Sequence, residues 1–321
     1  MARPQRLLAL ALAAPLLLSA CSGGDDGAAA TGADGDSLSF AVVTHGSAGD
    51  AFWDVVQNGA VQAGEDLGID VDYQSDGDPQ RQSQLIEAAV NQDVDGIVVS
   101  MANPDALQSA VEDAVAAGIP VVTINSGAAE SVEFGAIGHV GQDETIAGLG
   151  AGQRLAADGR TNVLCVVHEA GNIGLEQRCD GASQGLGTDV TTLQVDINDL
   201  QAAQSTITSS LQSDPSIDAV LTLNSAVAAV AATAATDAGS EAEIATFDLN
   251  SDVIAGIQDG SISFAVDQQQ YEQGYLPIVM LQLYAQNLNT VGGGQPVLTG
   301  PGIVDADNVD EIAELASSGT R

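Results

Sequence analysis

The sequence predicts an α/β protein built from two doubly wound parallel-sheet lobes. Three observations carry that expectation. The strand candidates are short and continuously apolar (FAVVT, GIVVS, VLCVV), the pattern of strands covered on both faces. Each is followed by a stretch with helical periodicity, so the chain reads as repeated βα units. The series restarts after residue 140, and about 280 residues of folded chain are more than one such lobe needs.

The first 37 residues stand outside this pattern. Arg3 and Arg6 lead into an apolar run over residues 7–18 that is too short to span a bilayer, and small residues follow, so residues 1–20 read as an export signal peptide. The junction Leu18-Ser19-Ala20-Cys21 resembles the bacterial lipobox, whose cysteine becomes the lipid-modified first residue of the mature chain. The alternative is ordinary secretion with Cys21 a bystander. Residues 22–37 are mostly Gly, Asp, Ala and Ser, which bury too little apolar surface to order themselves. Residues 21–37 therefore read as a lipidated flexible tether, holding a body at the outer face of the cell membrane.

In the first half, strands are expected over residues 40–44, 69–73, 96–100, 119–124 and 135–140. Residues 51–67 form a helix with Phe52, Val55, Val56, Gly59 and Ala63 near one stripe. Asp78-Pro79 is an N-cap with proline at the first helical position, opening a helix to about Asn91. Asn103-Pro104 opens another, which ends at Gly118.

The second half opens with a helix over 143–157. Residues 161–181, TNVLCVVHEAGNIGLEQRCDG, give a strand (163–167), a polar loop (168–173) and a helix carrying Arg178. Strands follow at 190–195, 219–223, 244–247 and 262–266, with helices at 200–211, 227–238 and 252–258 between them. A long helix covers 271–287. Gly292 to Gly294 reads as a flexible turn, 296–298 as a short strand and 309–316 as a last helix.

Charge narrows the function. The chain has 7 basic and 44 acidic residues, net −37, and no lysine. Removing residues 1–20 removes two arginines and no acid, leaving a net charge of −39. Nucleic acid is excluded as a partner, because phosphate binding needs a basic face. The field repels anionic ligands and favours neutral or cationic ones. Two readings of Arg178 stand: a ligand clamp beyond a strand's carboxyl end, or a surface arginine paired with a nearby carboxylate. Cys165 and Cys179 also stand open between two buried thiols and a disulfide, which in an oxidising compartment would contribute about 3 kcal/mol. The three histidines, His45, His139 and His168, are scattered and make no metal set, so no metal is expected.

The strand ends carry the site candidates. His45 and Asp50, followed by Phe52 and Trp53, come after the first strand, and Asn125-Ser126 after the fourth. His168, Glu169, Asn172 and Arg178 lie in the 161–181 stretch. Asn224-Ser225, Asp248 and Asp267-Gln268 follow later strands. In doubly wound sheets, ligands bind outside these ends. Planar amides, carboxylates and a guanidinium beside aromatic rings suit polyols: each hydroxyl needs a donor and an acceptor, and a ring's C–H face needs an aromatic plane. Asn and Asp after strands are also ordinary turn and cap residues, Ser126 and Ser225 read as helix caps, and Phe52 and Trp53 fit a core. No phosphate loop, HExxH, or GxGxxG after the first strand is present, so enzymatic activity is not expected.

From Ser39 onward the chain resembles the ribose-binding type of sugar receptor of bacterial ABC importers, a type I periplasmic binding protein. The matching stretches are FAVVTHGSAGDAFWDVVQNGA, DGIVVSMANPDALQSAVEDAVAAGIPVVTINSG, GLEQRCDG, AVLTLNS, ATFDLNS and SFAVDQQQYEQGYLP. The resemblance implies a three-segment hinge, with crossings near 140–141, 266–267 and 296–302. One lobe would comprise residues 38–140 plus 268–297 and the other 141–267 plus 298–321. It implies a monomer that binds one small neutral sugar without a cofactor and delivers it to an ABC permease and its ATPase. By position, Asp50 stands where the family often has Asn, and Phe52 and Trp53 fill the aromatic pair that stacks on the sugar. Arg178, Asn224 and Asp248 match the second lobe's Arg, Asn and Asp. Gln268 matches the hinge Gln, with Asp267 the alternative one residue away. Asn125-Ser126 replaces the Asp-Arg pair of ribose binders, which leaves the sugar open; His45 is an unusual additional contact. A Cys165–Cys179 bond would stiffen the element holding Arg178. The same features fit a receptor for a nucleoside or a furanone signal, or a sugar sensor.

Overall fold

A computed structural model of the protein describes residues 37–47 and 49–321. The expected signal peptide, the Cys21 lipidation site and the tether up to residue 36 lie outside them. Among the described residues no helix is long and apolar enough to cross a membrane.

The first half of the chain builds one lobe. Its strands and helices alternate as β1 (Ser39–Thr44), α1 (Ala51–Leu67), β2 (Asp70–Ser75), α2 (Pro79–Asn91), β3 (Gly96–Ser100), α3 (Pro104–Ala116), β4 (Val121–Ile124), α4 (Ala128–Glu133) and β5 (Gly138–Gly141). The second lobe continues with α5 (Glu144–Ala157), β6 (Val163–Val167), α6 (Ile173–Leu186), β7 (Thr191–Gln194), α7 (Leu200–Ser213), β8 (Ala219–Thr222), α8 (Ser225–Ala238), β9 (Glu243–Phe247), α9 (Ser251–Asp259) and β10 (Phe264–Asp267). The chain then returns to the first lobe with α10 (Gln270–Asn287) and β11 (Val297–Leu298), and ends in the second with β12 (Gly302–Asp305) and α11 (Val309–Ser317).

Two six-stranded sheets result, ordered β11-β5-β4-β3-β1-β2 and β12-β10-β9-β8-β6-β7. The pairings are parallel except β10 with β12. Both sheets place the first strand of the lobe between the second and third, so each has a switch point where strand order reverses. Side chains alternate between two covered faces. Phe40 and Val42 pack with Phe52, Val56 and Ile278 from α1 and α10, while Ala41 and Val43 pack with Ile86, Leu107 and Val111 from α2 and α3. In the second lobe Cys165 and Val167 face α5 and α6, and Leu164 and Val166 face α7, α8 and α9.

The chain crosses between lobes three times, after β5, after β10 and between β11 and β12. These crossings are joined to each other: Thr299 N–H donates to the Gly141 carbonyl at 3.1 Å, and Gln273 Nε2 donates to Thr299 Oγ1 at 3.2 Å and to Gln268 Oε1 at 3.0 Å.

Some elements differ from expectation. The sequence reading assigned neither α4, a helix of six residues, nor β12, which pairs antiparallel at the sheet edge directly after Pro301. Ser126 and Ser225 are not caps: Gly127, at φ 78°, caps α4, and Asn224 caps α8. Asn103 precedes α3 without a side-chain capping bond.

Candidate functional site

The carboxyl ends of the two sheets face each other across a cavity of about 630 Å³. His45, Asp50, Phe52, Trp53 and Asn125 line it from the first lobe, Asn172, Arg178, Asn224 and Asp248 from the second, and Gln268 from the second crossing. The ten binding residues expected from sequence thus share one cavity. His168, Glu169 and Ser126 also line it.

Several of these side chains hold a helix start and the cavity wall at once. Asp50 caps α1, accepting from Phe52 N–H at 3.1 Å. Asn172 caps α6 and Asn224 caps α8 through their amide oxygens, leaving each NH₂ group to reach elsewhere. Asn172 gives its amide N–H to Glu169 at 2.8 Å, and Asn224 gives its own to Asp50 across the cavity at 3.4 Å. Asn125 and Asp248 hold left-handed backbone, φ 62° and 70°, conformations that Asn and Asp tolerate better than most side chains and that concentrate at binding sites.

A chain of amides links the lobes at the crossing end. Asn125 Nδ2 donates to Gln268 Oε1 at 3.2 Å, and Gln268 Nε2 donates to Asp248 Oδ1 at 2.5 Å. Asp267, the alternative position, instead accepts from Arg321 at 2.7 Å and from Gln269 N–H at 2.9 Å.

Arg178 lines the cavity and is paired with a carboxylate, but it is buried and not the surface arginine of the second reading. The side chain is only 4% exposed. Nε donates to Glu144 Oε2 at 2.5 Å and Nη2 to Oε1 at 3.0 Å, while the guanidinium carbon lies 4.7 Å from the Phe247 ring centroid. Glu144 also accepts from Gln142 Nε2 at 2.8 Å. Sequence reasoning missed Glu144, since an acid in the first turn of a helix is an ordinary N-terminal residue. What brings it to Arg178 is the close approach of α5 and α6: a Cβ at Gly148 would lie 2.2 Å from the Arg178 carbonyl oxygen.

The aromatic pair stands mostly in the first lobe's core, with edges on the cavity. Phe52 and Trp53 are 4% and 7% exposed, and their rings meet edge to face at 4.9 Å. His45 packs on Trp53 at 4.6 Å and shares a 2.7 Å hydrogen bond between Nδ1 and Ser100 Oγ. A bond joins Cys165 of β6 to Cys179 of α6, the residue next to Arg178. His139, the third histidine, is bonded to Thr123 away from the cavity.

Burial dominates the electrostatics. It raises the Asp50 carboxyl to about 6, against the hydrogen bonds from Phe52 and Asn224. It raises Asp248 to about 7, partly offset by the nearby Arg178 charge. Burial also lowers His45 and His168, so both rings are neutral at pH 7. For Arg178, burial opposes the charge, but Glu144 and Asp248 more than compensate, and its pKa rises. The wall therefore offers neutral rings, amides, carboxyl groups of which Asp50 and Asp248 are shifted toward neutrality, and one compensated cation. Among the described residues no group of three or more His, Cys, Asp or Glu is placed to hold a metal ion.

The family model for the periplasmic binding protein domain matches residues 40–289. The xylose/arabinose-binding protein of Sulfolobus acidocaldarius is 27% identical over 219 residues, 62% of this chain and 54% of that protein. The ribose import binding protein of Bacillus subtilis is 28% identical over 212 residues, 63% of this chain and 66% of that protein. This chain thus matches little more than half to two thirds of these curated relatives' lengths. A crystal structure of a carbohydrate transporter from Acidothermus cellulolyticus, in complex with myo-inositol, superposes with a TM-score of 0.87 at 44% identity, covering 89% of this chain and all of that one.

Proposed function

The chain belongs to the periplasmic binding protein family, and from that premise we propose that it is the extracytoplasmic receptor of an ABC importer for a small neutral polyol, a monosaccharide or a cyclitol. The observation that carries this reading is the cavity itself. Amide and carboxyl groups from both lobes converge on it beside two aromatic edges, and no positive charge in it is left uncompensated. Such a wall suits hydroxyls, which give and take hydrogen bonds, better than it suits an anion. The myo-inositol complex of the Acidothermus cellulolyticus protein supports a cyclitol as readily as a sugar.

The activity is binding, not catalysis. The three crossings act as a hinge between residues 38–140 plus 268–297 and residues 141–267 plus 298–321. A ligand that touches both lobes stabilises the closed form, which a permease and its ATPase then recognise. In this reading the receptor is a monomer, held at the outer membrane face through lipid on Cys21.

A thermal-shift screen of residues 37–321 against pentoses, hexoses, cyclitols, nucleosides and furanone signals tests it. Ligand that binds only the folded state raises the melting temperature. A shift with one monosaccharide or cyclitol is expected; a shift confined to nucleosides or furanones, or none at all, overturns the polyol reading. Release of the full chain from membranes by Cys21→Ala tests the anchor.

A further inference from the structure

Arg178 meets the cavity already neutralised. A free arginine in a ligand site presents a planar fork that pairs bidentately with carboxylate or phosphate. Here the fork is occupied from behind: Nε and Nη2 both donate to Glu144, which does not itself line the cavity. Nη1 makes only a long 3.4 Å contact with the Leu223 carbonyl, so its other hydrogen and the second hydrogen of Nη2 remain for a ligand. Because the Arg178–Glu144 pair carries no net charge, the remaining N–H groups suit hydroxyl oxygens, while an anion gains no net attraction from them.

The remaining ionisable groups of the wall reinforce this. Asp50, Glu169 and Asp248 face the same space, and none has a second cation beside it in the cavity lining. An anionic ligand would meet them with no net positive charge in return. Arg178 still has a use with its charge balanced by Glu144: its N–H groups donate only and never accept, and Glu144 and the Phe247 ring hold them in one orientation.

We propose that Glu144 sets the charge specificity of the cleft, making Arg178 a fixed hydroxyl donor and excluding carboxylate- and phosphate-bearing analogues of the polyol. This rests on the cleft being a neutral-polyol site. The reading concerns a residue outside the cavity, so no substitution in the wall itself is needed to test it.

The test is calorimetric titration with matched pairs: galactose and galacturonate, glucose and glucuronate, myo-inositol and its monophosphate. The wild type should bind the neutral member of one pair at least a hundredfold better than its anionic partner. In Glu144→Gln, which keeps one acceptor for the guanidinium, that ratio should fall at least tenfold, through a gain on the anion. In Glu144→Asp, which keeps the charge but is one methylene shorter, both members should weaken and the ratio should hold. An equal loss on both members in Glu144→Gln, or a tenfold change of ratio in Glu144→Asp, overturns the inference. If Glu144→Gln does not fold, the Glu144→Asp ratio decides alone. Failure of every neutral member to bind the wild type overturns the polyol reading instead, and this inference falls with it.

Discussion

Asn224 reaches across the cavity to Asp50, its amide nitrogen 3.4 Å from the carboxyl Oδ1. The cap of one helix in the second lobe thus touches the cap of another in the first. Both helix N-termini direct their positive dipole ends toward the same space. The contact between the lobes is therefore made by two residues that local structure already needs.

Asn224→Ser separates those two jobs. Serine still caps α8, but it offers no amide donor to Asp50 or to a ligand. The melting temperature should stay within a few degrees while ligand affinity drops by about 1–3 kcal/mol, measured by calorimetry. Undiminished affinity would remove Asn224 from the binding set.

Asp248 should make stability fall as pH rises. Its carboxyl is raised from 3.8 to about 7 by burial, so the folded state holds a proton that the unfolded state has lost. That contribution is complete below about pH 4 and is gone once pH passes through about 7. The lowered His45 and His168 push the opposite way below their ordinary value of 6.5, so a wild-type curve alone mixes the two. Asp248→Asn isolates the carboxyl while keeping an acceptor for Gln268. Melting temperatures at pH 5 and pH 8 should show the variant gaining on the wild type at the higher pH; a constant difference would sink the assignment.

Gly148→Ala should damage the site from a distance. The added Cβ would sit 2.2 Å from the Arg178 carbonyl oxygen, so α5 and α6 must separate. Overpacking of this kind costs about 1–3 kcal/mol, and the Glu144–Arg178 pair must stretch with it. Denaturant melts and ligand titration should both register the change. Loss of stability with intact affinity would mean that the clamp tolerates the displacement.

The Cys165–Cys179 bond closes a short loop between β6 and α6, with a sequence separation of 14. Removing both sulfurs in Cys165→Ala/Cys179→Ala should cost about 3 kcal/mol in the chain-entropy account. Chemical denaturation of the double variant, compared with the oxidised wild type, measures it; equal midpoints would make the bond dispensable for stability.

The parts of this structure that were readable in advance rest on local signals. FAVVT, GIVVS and VLCVV are too apolar for half-exposed strands, and Asp78-Pro79 starts a helix by itself, with the Asp78 side chain accepting from Arg81 N–H at 3.0 Å. The polar residues after each strand were readable because βα folds bind at those ends. Glu144 was not, because its partner lies 34 positions away and is reached only through glycine contacts between two helices. Nor was β12, a four-residue edge strand whose pairing depends on where β10 has already been placed. Gln273 was missed for the same reason: its bonds to Gln268 and Thr299 exist only once the crossings lie side by side.

The order of the strands has a consequence for how the molecule comes into being. The first sheet takes its edge strand from Val297–Leu298, and α10 covers that lobe from residue 270 onward. Neither half can be completed from one continuous stretch, so a nascent chain stopped anywhere before residue 297 has two unfinished cores. Contacts that join distant parts of the chain are the slow ones to form. Maturation should therefore wait for nearly the whole polypeptide, leaving a long interval in which the chain stays open.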